Sequence, residues 1–267
     1  MGKGILLEAI AHPTDFSPQG LPAFHHALGL ALANRCRLDV IHVEQGGEHG
    51  GWQDFPQVRA TLERWGRIAP GTGPEQVLEQ TGVTVRKVGI HETNAAQGLA
   101  DFLKGHRPSL VVMASHGRAG LDRLFAGSVS SDLVQATGIP ALLLGPGARP
   151  FVDAETGAIA LTRVLVPIDH DPAPETALDA LDAFNAAHGA ALDPVHVGSG
   201  GPVIPHMAVR ELTGSVVETI LAEAEGAQLI AMPTRGRHGL LDALRGSTTE
   251  RVLVDARVPV LALPVRA

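Results

Sequence analysis

Residues 111–131, VVMASHGRAGLDRLFAGSVSS, hold the residue types and spacing most able to do chemistry. Leu110-Val111-Val112-Met113 has the composition of a buried strand and gives way to the small and polar residues Ala114-Ser115-His116-Gly117. A second break at Gly127-Ser128 opens a helical pattern with Val129, Leu133 and Val134 on one face. A strand, a loop and a helix N-terminus present unpaired backbone N–H groups, and the helix dipole favours an anion there. Gly117 and Gly127 lack the Cβ that would keep a phosphate away from the backbone. The chemistry expected of this loop is phosphate binding.

The design recurs in residues 229–249, LIAMPTRGRHGLLDALRGSTT. Gly236 matches Gly117, Arg237 matches Arg118, Gly239 matches Gly120, Gly246 matches Gly127 and Ser247 matches Ser128, each at an offset of 119. Repetition of that fidelity marks two copies of one domain.

The elements that must position these loops follow the chain. A strand over 5–11 ends at His12-Pro13-Thr14-Asp15, and Ser17-Pro18 starts a helix with Leu21, Phe24, Leu28, Ala31 and Leu32 inward. LDVIHV at 38–43 reads as the second strand, followed by a Gly-rich loop over 46–51. Phe55, Val58, Leu62 and Trp65 are spaced for a second amphipathic helix, and TGVTVRKV over 81–88 alternates as a third strand. Residues 94–103 form a third helix, 128–137 a fourth, and 139–144 the fifth strand. Alternating strands and helices predict an α/β fold, and near-continuous apolar strands predict a parallel sheet covered on both faces. The expected domains are 1–146 and 161–267, with 147–160 as linker.

In the second copy, RVLVPID over 163–169 and LDPVHV over 192–197 lie 154 positions after their counterparts. The offset falls from 154 in the front of each copy to 119 in the back, so the second copy is shorter by 35 residues. The missing span includes the counterpart of the helix bearing Trp65.

Composition excludes several classes of function. The chain has 267 residues, 45% of them hydrophobic, and no run of 18 apolar residues that would cross a membrane. A net charge of −7, 3% aromatics and no tyrosine disfavour nucleic-acid binding. The single cysteine rules out an internal disulfide and fits a cytoplasmic protein. Thirteen scattered histidines show no metal-binding spacing, and no Walker, dinucleotide or nucleophile-elbow motif occurs.

Asp15 and Asp169, each just past a first strand, together with the two spaced loops, resemble the universal stress protein family in its tandem form. The family's nucleotide-binding loop, G-x-x-G-(nine residues)-G-[ST], is matched by Ala114 to Ser128 and by Pro233 to Ser247, with the first glycine replaced in both. The resemblance covers nearly the whole chain. It implies two Rossmann-like domains of the adenine nucleotide alpha hydrolase type, each with a five-stranded parallel sheet. The ligand is expected where strands one and four part.

The resemblance implies an adenine nucleotide (ATP, ADP or AMP), with Mg²⁺ as companion, bound by a stress-response sensor or regulator. In the first copy Pro13, Thr14 and Asp15 would approach the adenine or ribose, with Ile41 beside the base. Ala114, Gly117, Arg118, Gly127, Ser128, Val129 and Ser130 would surround the phosphates. In the second copy the matching residues are Asp169, Val195, Gly236, Arg237, Gly246, Ser247 and Thr248. The family also implies that the two domains pair through their last strands, Ala141 to Leu144 and Val260 to Leu263; a homodimer of such chains is a further expectation.

Blander roles compete for several of these residues. Ser128 and Ser247 also suit helix N-caps, and Ser247-Thr248-Thr249-Glu250 fits a capping box. Pro233 fixes φ and removes a donor, which favours the first copy as the nucleotide site. His42 and His196 read as structural histidines, and Phe55 and Trp65 as core. Cys36, between Arg35 and Arg37, reads as a structural thiol or as one of lowered pKa. No catalytic residue is expected beyond, at most, a slow ATPase. The competing function is a nucleotide-free interaction scaffold on the same fold.

Overall fold

The computed structural model describes residues 7–44, 54–115, 137–235 and 248–265. They divide into two compact units: Leu7–Ala114 with Val152–Ala160, and the described parts of Ser115–Phe151 with those of Leu161–Ala267.

The N-terminal unit runs β1 (Ala9–Pro13), α1 (Leu21–Asn34), β2 (Arg37–Glu44), α2 (Val58–Arg64), α3 (Pro74–Thr81), β3 (Val85–His91), α4 (Ala95–His106) and β4 (Leu110–Ala114). Its strands are parallel in the order β3-β2-β1-β4. The C-terminal unit contains β5 (Ala141–Leu144), β6 (Arg163–Pro167), α5 (Glu175–Asn185), β7 (Ala191–Val197), β8 (Arg210–Leu212), α6 (Val216–Ala224), β9 (Leu229–Arg235), α7 (Thr248–Asp255) and β10 (Val260–Val265). Its order is β5-β10-β9-β6-β7-β8, parallel except that β5 meets β10 antiparallel.

The repeat extends to strand register. Ala9 of β1 pairs with Arg37, and 154 residues later Arg163 pairs with Ala191. Ile10 pairs with Leu110 of β4, and correspondingly Val164 pairs with Leu229 of β9. The central strands are apolar because both of their faces are covered: Ile10, Val164, Leu165, Leu229 and Ile230 have no exposed surface. Burying each such side chain stabilises the fold by about 1.5–3 kcal/mol. β5 and β10, apolar strands that would be hazardous as free edges, bury each other through Leu142 opposite Leu261 and Leu143 opposite Val260.

A polar device is also repeated. Asp39 on β2 is 1% exposed and takes two bonds from Arg86 of β3, Nε at 2.6 Å and Nη2 at 2.8 Å, with Arg37 Nε at 3.2 Å. Its counterpart Asp193 on β7 is held by Arg210 of β8 and Arg163 of β6, and Glu223 of α6 joins Arg210 at 2.7 Å. A carboxylate on a central strand is tolerated there because guanidinium groups pair with it.

Two local readings change. Residues 81–88 do not open as a strand: α3 runs through Thr81, and β3 starts at Val85. Gly73-Pro74 starts this helix, Gly82 at φ 71° ends it, and Thr81 Oγ1 donates back to the Val77 carbonyl at 2.6 Å. The alternation of TGVTVRKV is therefore the tail of a helix followed by a strand. Among the described residues the span from β2 to β3 thus holds two helices, whereas residues 198–209, between β7 and β8, hold none.

The end of the expected linker is packed. Val152–Ala160 lies on the N-terminal unit, with Val152 1% exposed and bridged to Ile159. Asp153 Oδ1 accepts from the Glu155 and Thr156 amides and from Thr156 Oγ1, closing a turn beside Trp65.

Candidate functional site

In each unit the chain order reverses beside the first strand of a copy. β1 is followed outward by β2 and β3 on one side and has β4 on the other; β6 has β7 and β8 on one side and β9 on the other. At such a switch point the connections leave in opposite directions and a crevice opens beyond the strands' carboxyl ends.

In the C-terminal unit that crevice is a pocket of about 270 Å³. Ile168 and Asp169 enter it from the end of β6, Val195 and His196 from β7, Met232, Pro233 and Thr234 from β9, and Thr248 and Thr249 from the first turn of α7. Val216 and Ile220 of α6 close one side. Three residues expected from the sequence, Asp169, Val195 and Thr248, are thus brought together. The pocket belongs to the copy carrying Pro233, which itself lines the wall.

The β6 turn is fixed by the backbone. Ile168 N donates to Val195 O at 2.9 Å, and His196 Nδ1 donates to Ile168 O at 3.2 Å. A carbonyl only accepts, so Nδ1 carries a proton in this bond. Asp169 Oδ1 accepts from the His170 amide at 2.7 Å, while its side chain stays 67% exposed. His170 Nε2 meets Gly200 O at 2.8 Å.

The first copy builds the same frame 154 residues earlier. Thr14 N donates to Ile41 O at 2.8 Å, and His42 Nδ1 donates to Thr14 O at 2.8 Å. Pro13, Thr14, Asp15 and Ile41 therefore gather at the end of β1, with Ala114 ending the neighbouring β4. Here Asp15 Oδ1 accepts from the Ser17 amide at 2.9 Å, and the ring of Phe16 stacks on His42 at 3.9 Å. His42 and His196 are structural in both copies: each ties a strand-one turn to strand two.

Thr234 was not singled out in the sequence. It is 3% exposed, lines the pocket, and its Oγ1 has no hydrogen-bond partner among the described residues. A buried hydroxyl without a partner costs roughly 1–3 kcal/mol and is uncommon in a wall facing nothing. Its signal in the sequence was its match to Ser115 at the offset of 119, directly after Pro233.

The described wall carries two carboxylates, Asp169 and Asp171, and the first turn of a helix. Carboxylates accept from hydroxyl and amino groups, whereas the N-terminal end of α7 suits an anion. The arrangement therefore favours a ligand with polar donors at one end and negative charge at the other. The remaining expected residues, Gly117, Arg118, Gly127, Ser128, Val129, Ser130, Gly236, Arg237, Gly246 and Ser247, lie outside the described residues. Among the described residues no group of three His, Cys, Asp or Glu side chains could hold a metal ion, and no helix is long and apolar enough to cross a membrane. Cys36 is buried and its thiol is pushed up to about 11, which leaves it an inert core group.

Several known proteins share this architecture. A universal stress protein of Mycobacterium tuberculosis is 29% identical over 276 aligned residues, which span 86% of this chain and 88% of the relative. A universal stress protein of Methanocaldococcus jannaschii is 25% identical over 145 residues, spanning 52% of this chain and 82% of its own. Among solved structures, a universal stress protein from Archaeoglobus fulgidus superposes with a TM-score of 0.65 at 20% identity, covering 96% of this chain and 98% of that one. A Pseudomonas aeruginosa protein of unknown function gives 0.63 at 16% identity, covering 97% and 92%. At those identities the superpositions speak to the fold alone. The family model described as the universal stress protein family matches residues 8–145 and 199–264, in both copies and over most of the sequence. The chain belongs to the universal stress protein family.

Proposed function

We propose that the protein binds an adenine nucleotide, ATP foremost, and acts in the cytoplasm as a nucleotide-responsive regulator of the stress response. The observation that carries this reading is the pocket at the switch point of the second copy, where Asp169, Val195, Thr234 and the first turn of α7 line one crevice. Its volume is near the lower end of the roughly 300–1,000 Å³ typical of small-molecule sites. That suits a nucleoside, with the phosphates directed to the first turn of α7.

In this reading Asp169 accepts from ribose or adenine donors, Val195 and Ile168 bound the base, and Thr234, which has no partner among the described residues, stands beside the ligand. Asp15 and Ile41 would play the same parts in the first copy. Mg²⁺, carried by the phosphates, would neutralise their charge. The reading is of binding, not turnover; ATP hydrolysis by the wild type well above that of Asp169→Ala would overturn that point.

Mass spectrometry of small molecules released from denatured, freshly purified protein tests the proposal, together with calorimetric titration of ATP. Near-stoichiometric nucleotide, or saturable binding lost in Asp169→Ala, supports it. No nucleotide on release and no heat on titration would overturn it in favour of a nucleotide-free interaction scaffold. The replaced glycines at Ala114 and Pro233 are what favour that scaffold.

A further inference from the structure

A cavity larger than the second copy's pocket lies away from the ends of β1 and β6. It lies in the N-terminal unit, between α2, α3 and β3, with a volume of about 540 Å³, twice that of the pocket in the second copy. Its floor is aliphatic: Val58 from α2, Val77 and Leu78 from α3, and Val83 and Val85 leading into β3. Val58, Val77 and Val83 are buried, whereas Leu78 is 49% exposed although it stands on the cavity wall. A leucine half open to water over an apolar hollow loses burial that an apolar occupant would restore.

The rim is positively charged. Lys87 lies two residues beyond Val85 on the same face of β3, and Arg59 follows Val58 on α2. The two cations are close enough to act on each other: the Lys87 ammonium is lowered from its usual range by burial and by the Arg59 charge. Lys87 lines the cavity, and its ammonium also sits over the Phe55 ring at 5.5 Å. One carboxylate, Glu75 in the first turn of α3, shares the lining, so the rim stays cationic on balance. The second copy lacks this segment: no helix stands between β7 and β8, so nothing in it can form the same cavity.

We propose that this cavity is a binding site for a small amphipathic monoanion, an alkyl chain ending in a carboxylate. The chain lies on Val58, Val77, Leu78, Val83 and Val85, and the carboxylate meets Arg59 and Lys87. The site gives the first copy a ligand class of its own, separate from the nucleotide crevice. It gives a role to α2 and α3, which have no counterpart between β7 and β8.

Methyl NMR of the full chain, titrated with decanoate and with decyltrimethylammonium as a cation of equal tail, tests this. Decanoate should shift the methyl signals of Val77, Leu78, Val83 and Val85 saturably, with the cation at least about tenfold weaker because it forfeits the charged hydrogen bonds. Arg59→Gln should weaken decanoate by about tenfold, and Leu78→Asp should abolish it. Both residues are exposed, so the folded state persists in these variants. Absence of saturation, shifts confined to other methyls, or equal affinity for the cation would overturn the proposal. Methyl shifts that depend on protein concentration and not on ligand would do the same, by making the face a contact between chains.

Discussion

Trp65 Nε1 donates a hydrogen bond of 2.9 Å to the carbonyl of Ala154, 89 residues further along the chain. The indole closes α2, and the carbonyl belongs to the segment that leads into the second copy. The contact is tight because Gly157 passes directly over the ring: a Cβ on it would lie 2.3 Å from Trp65 Cε3. Gly157 also holds φ at 67°, a conformation that costs other residues about 1–2 kcal/mol. Gly157→Ala is therefore expected to destabilise the protein by roughly 2–4 kcal/mol, combining that backbone term with overpacking. Urea unfolding followed by tryptophan fluorescence checks this, and an unchanged midpoint would mean that the segment detaches at no cost.

Thr234→Val should separate stability from binding. The substitution removes a buried hydroxyl that has no partner among the described residues and keeps the shape. Stability without ligand should hold or rise by about 1 kcal/mol. ATP affinity should fall by about fivefold to tenfold, the worth of one hydrogen bond. Thermal unfolding with and without ATP reads both, and a loss of stability with affinity intact would make the hydroxyl structural.

The two strand carboxylates should differ in weight. Asp39 is 1% exposed and Asp193 18%, while the arginines that hold them are about equally open, Arg86 at 42% and Arg210 at 43%. Asp39→Ala is expected to cost roughly 2–4 kcal/mol and Asp193→Ala roughly 1–2 kcal/mol, both reduced by solvent screening at the open guanidinium side. Hydrogen bonds from Arg210, opposed by partial burial, hold the Asp193 carboxyl below its usual range. Its contribution is therefore present above the unfolded-state pKa, near 4, and is lost as pH falls through the lower folded value. Urea midpoints of the two variants at pH 7 give the order; a reversed order would contradict it.

Acid should weaken the N-terminal unit well above the carboxylate range. Burial lowers His12 and His26 to about 4, even though each ring donates through Nδ1 to a carbonyl, Val112 O at 2.9 Å and Pro22 O at 2.7 Å. Between about pH 6.5 and 4 the unfolded chain binds these protons and the folded chain does not, so stability falls as pH drops through that window. The loss at pH 5 should be roughly 1–2 kcal/mol per histidine. Comparing urea midpoints at pH 7.5 and 5.0 measures it, and His26→Gln should flatten the dependence.

Cys36 should resist alkylation by iodoacetamide at pH 7.5 in the native protein and react only under denaturing conditions, because burial keeps it a thiol. Rapid native labelling by mass spectrometry would contradict this.

The sequence by itself determined the repeat, the strand types and the frame of the site. Offsets of 154 and 119 are local identities, and they reappear as strand register because parallel pairing copies whatever spacing the two copies share. Asp15, Asp169, His42 and His196 could be placed at strand ends from apolar runs and breaks alone. What the tertiary structure decided are relations between residues far apart in the chain. α3 was hidden because its last residue, Thr81, opens the alternating run TGVTVRKV, which reads as a strand, and the helix is set by Gly73-Pro74 and Gly82 together with burial of Val77 and Thr81. The docking of Ala154 on Trp65, the Thr234 hydroxyl left without a partner among the described residues, and the cavity between α2, α3 and β3 leave no periodic trace. Periodicity records which face of an element is buried, whereas the partner it is buried against, and the space left between them, depend on side-chain volumes meeting in three dimensions.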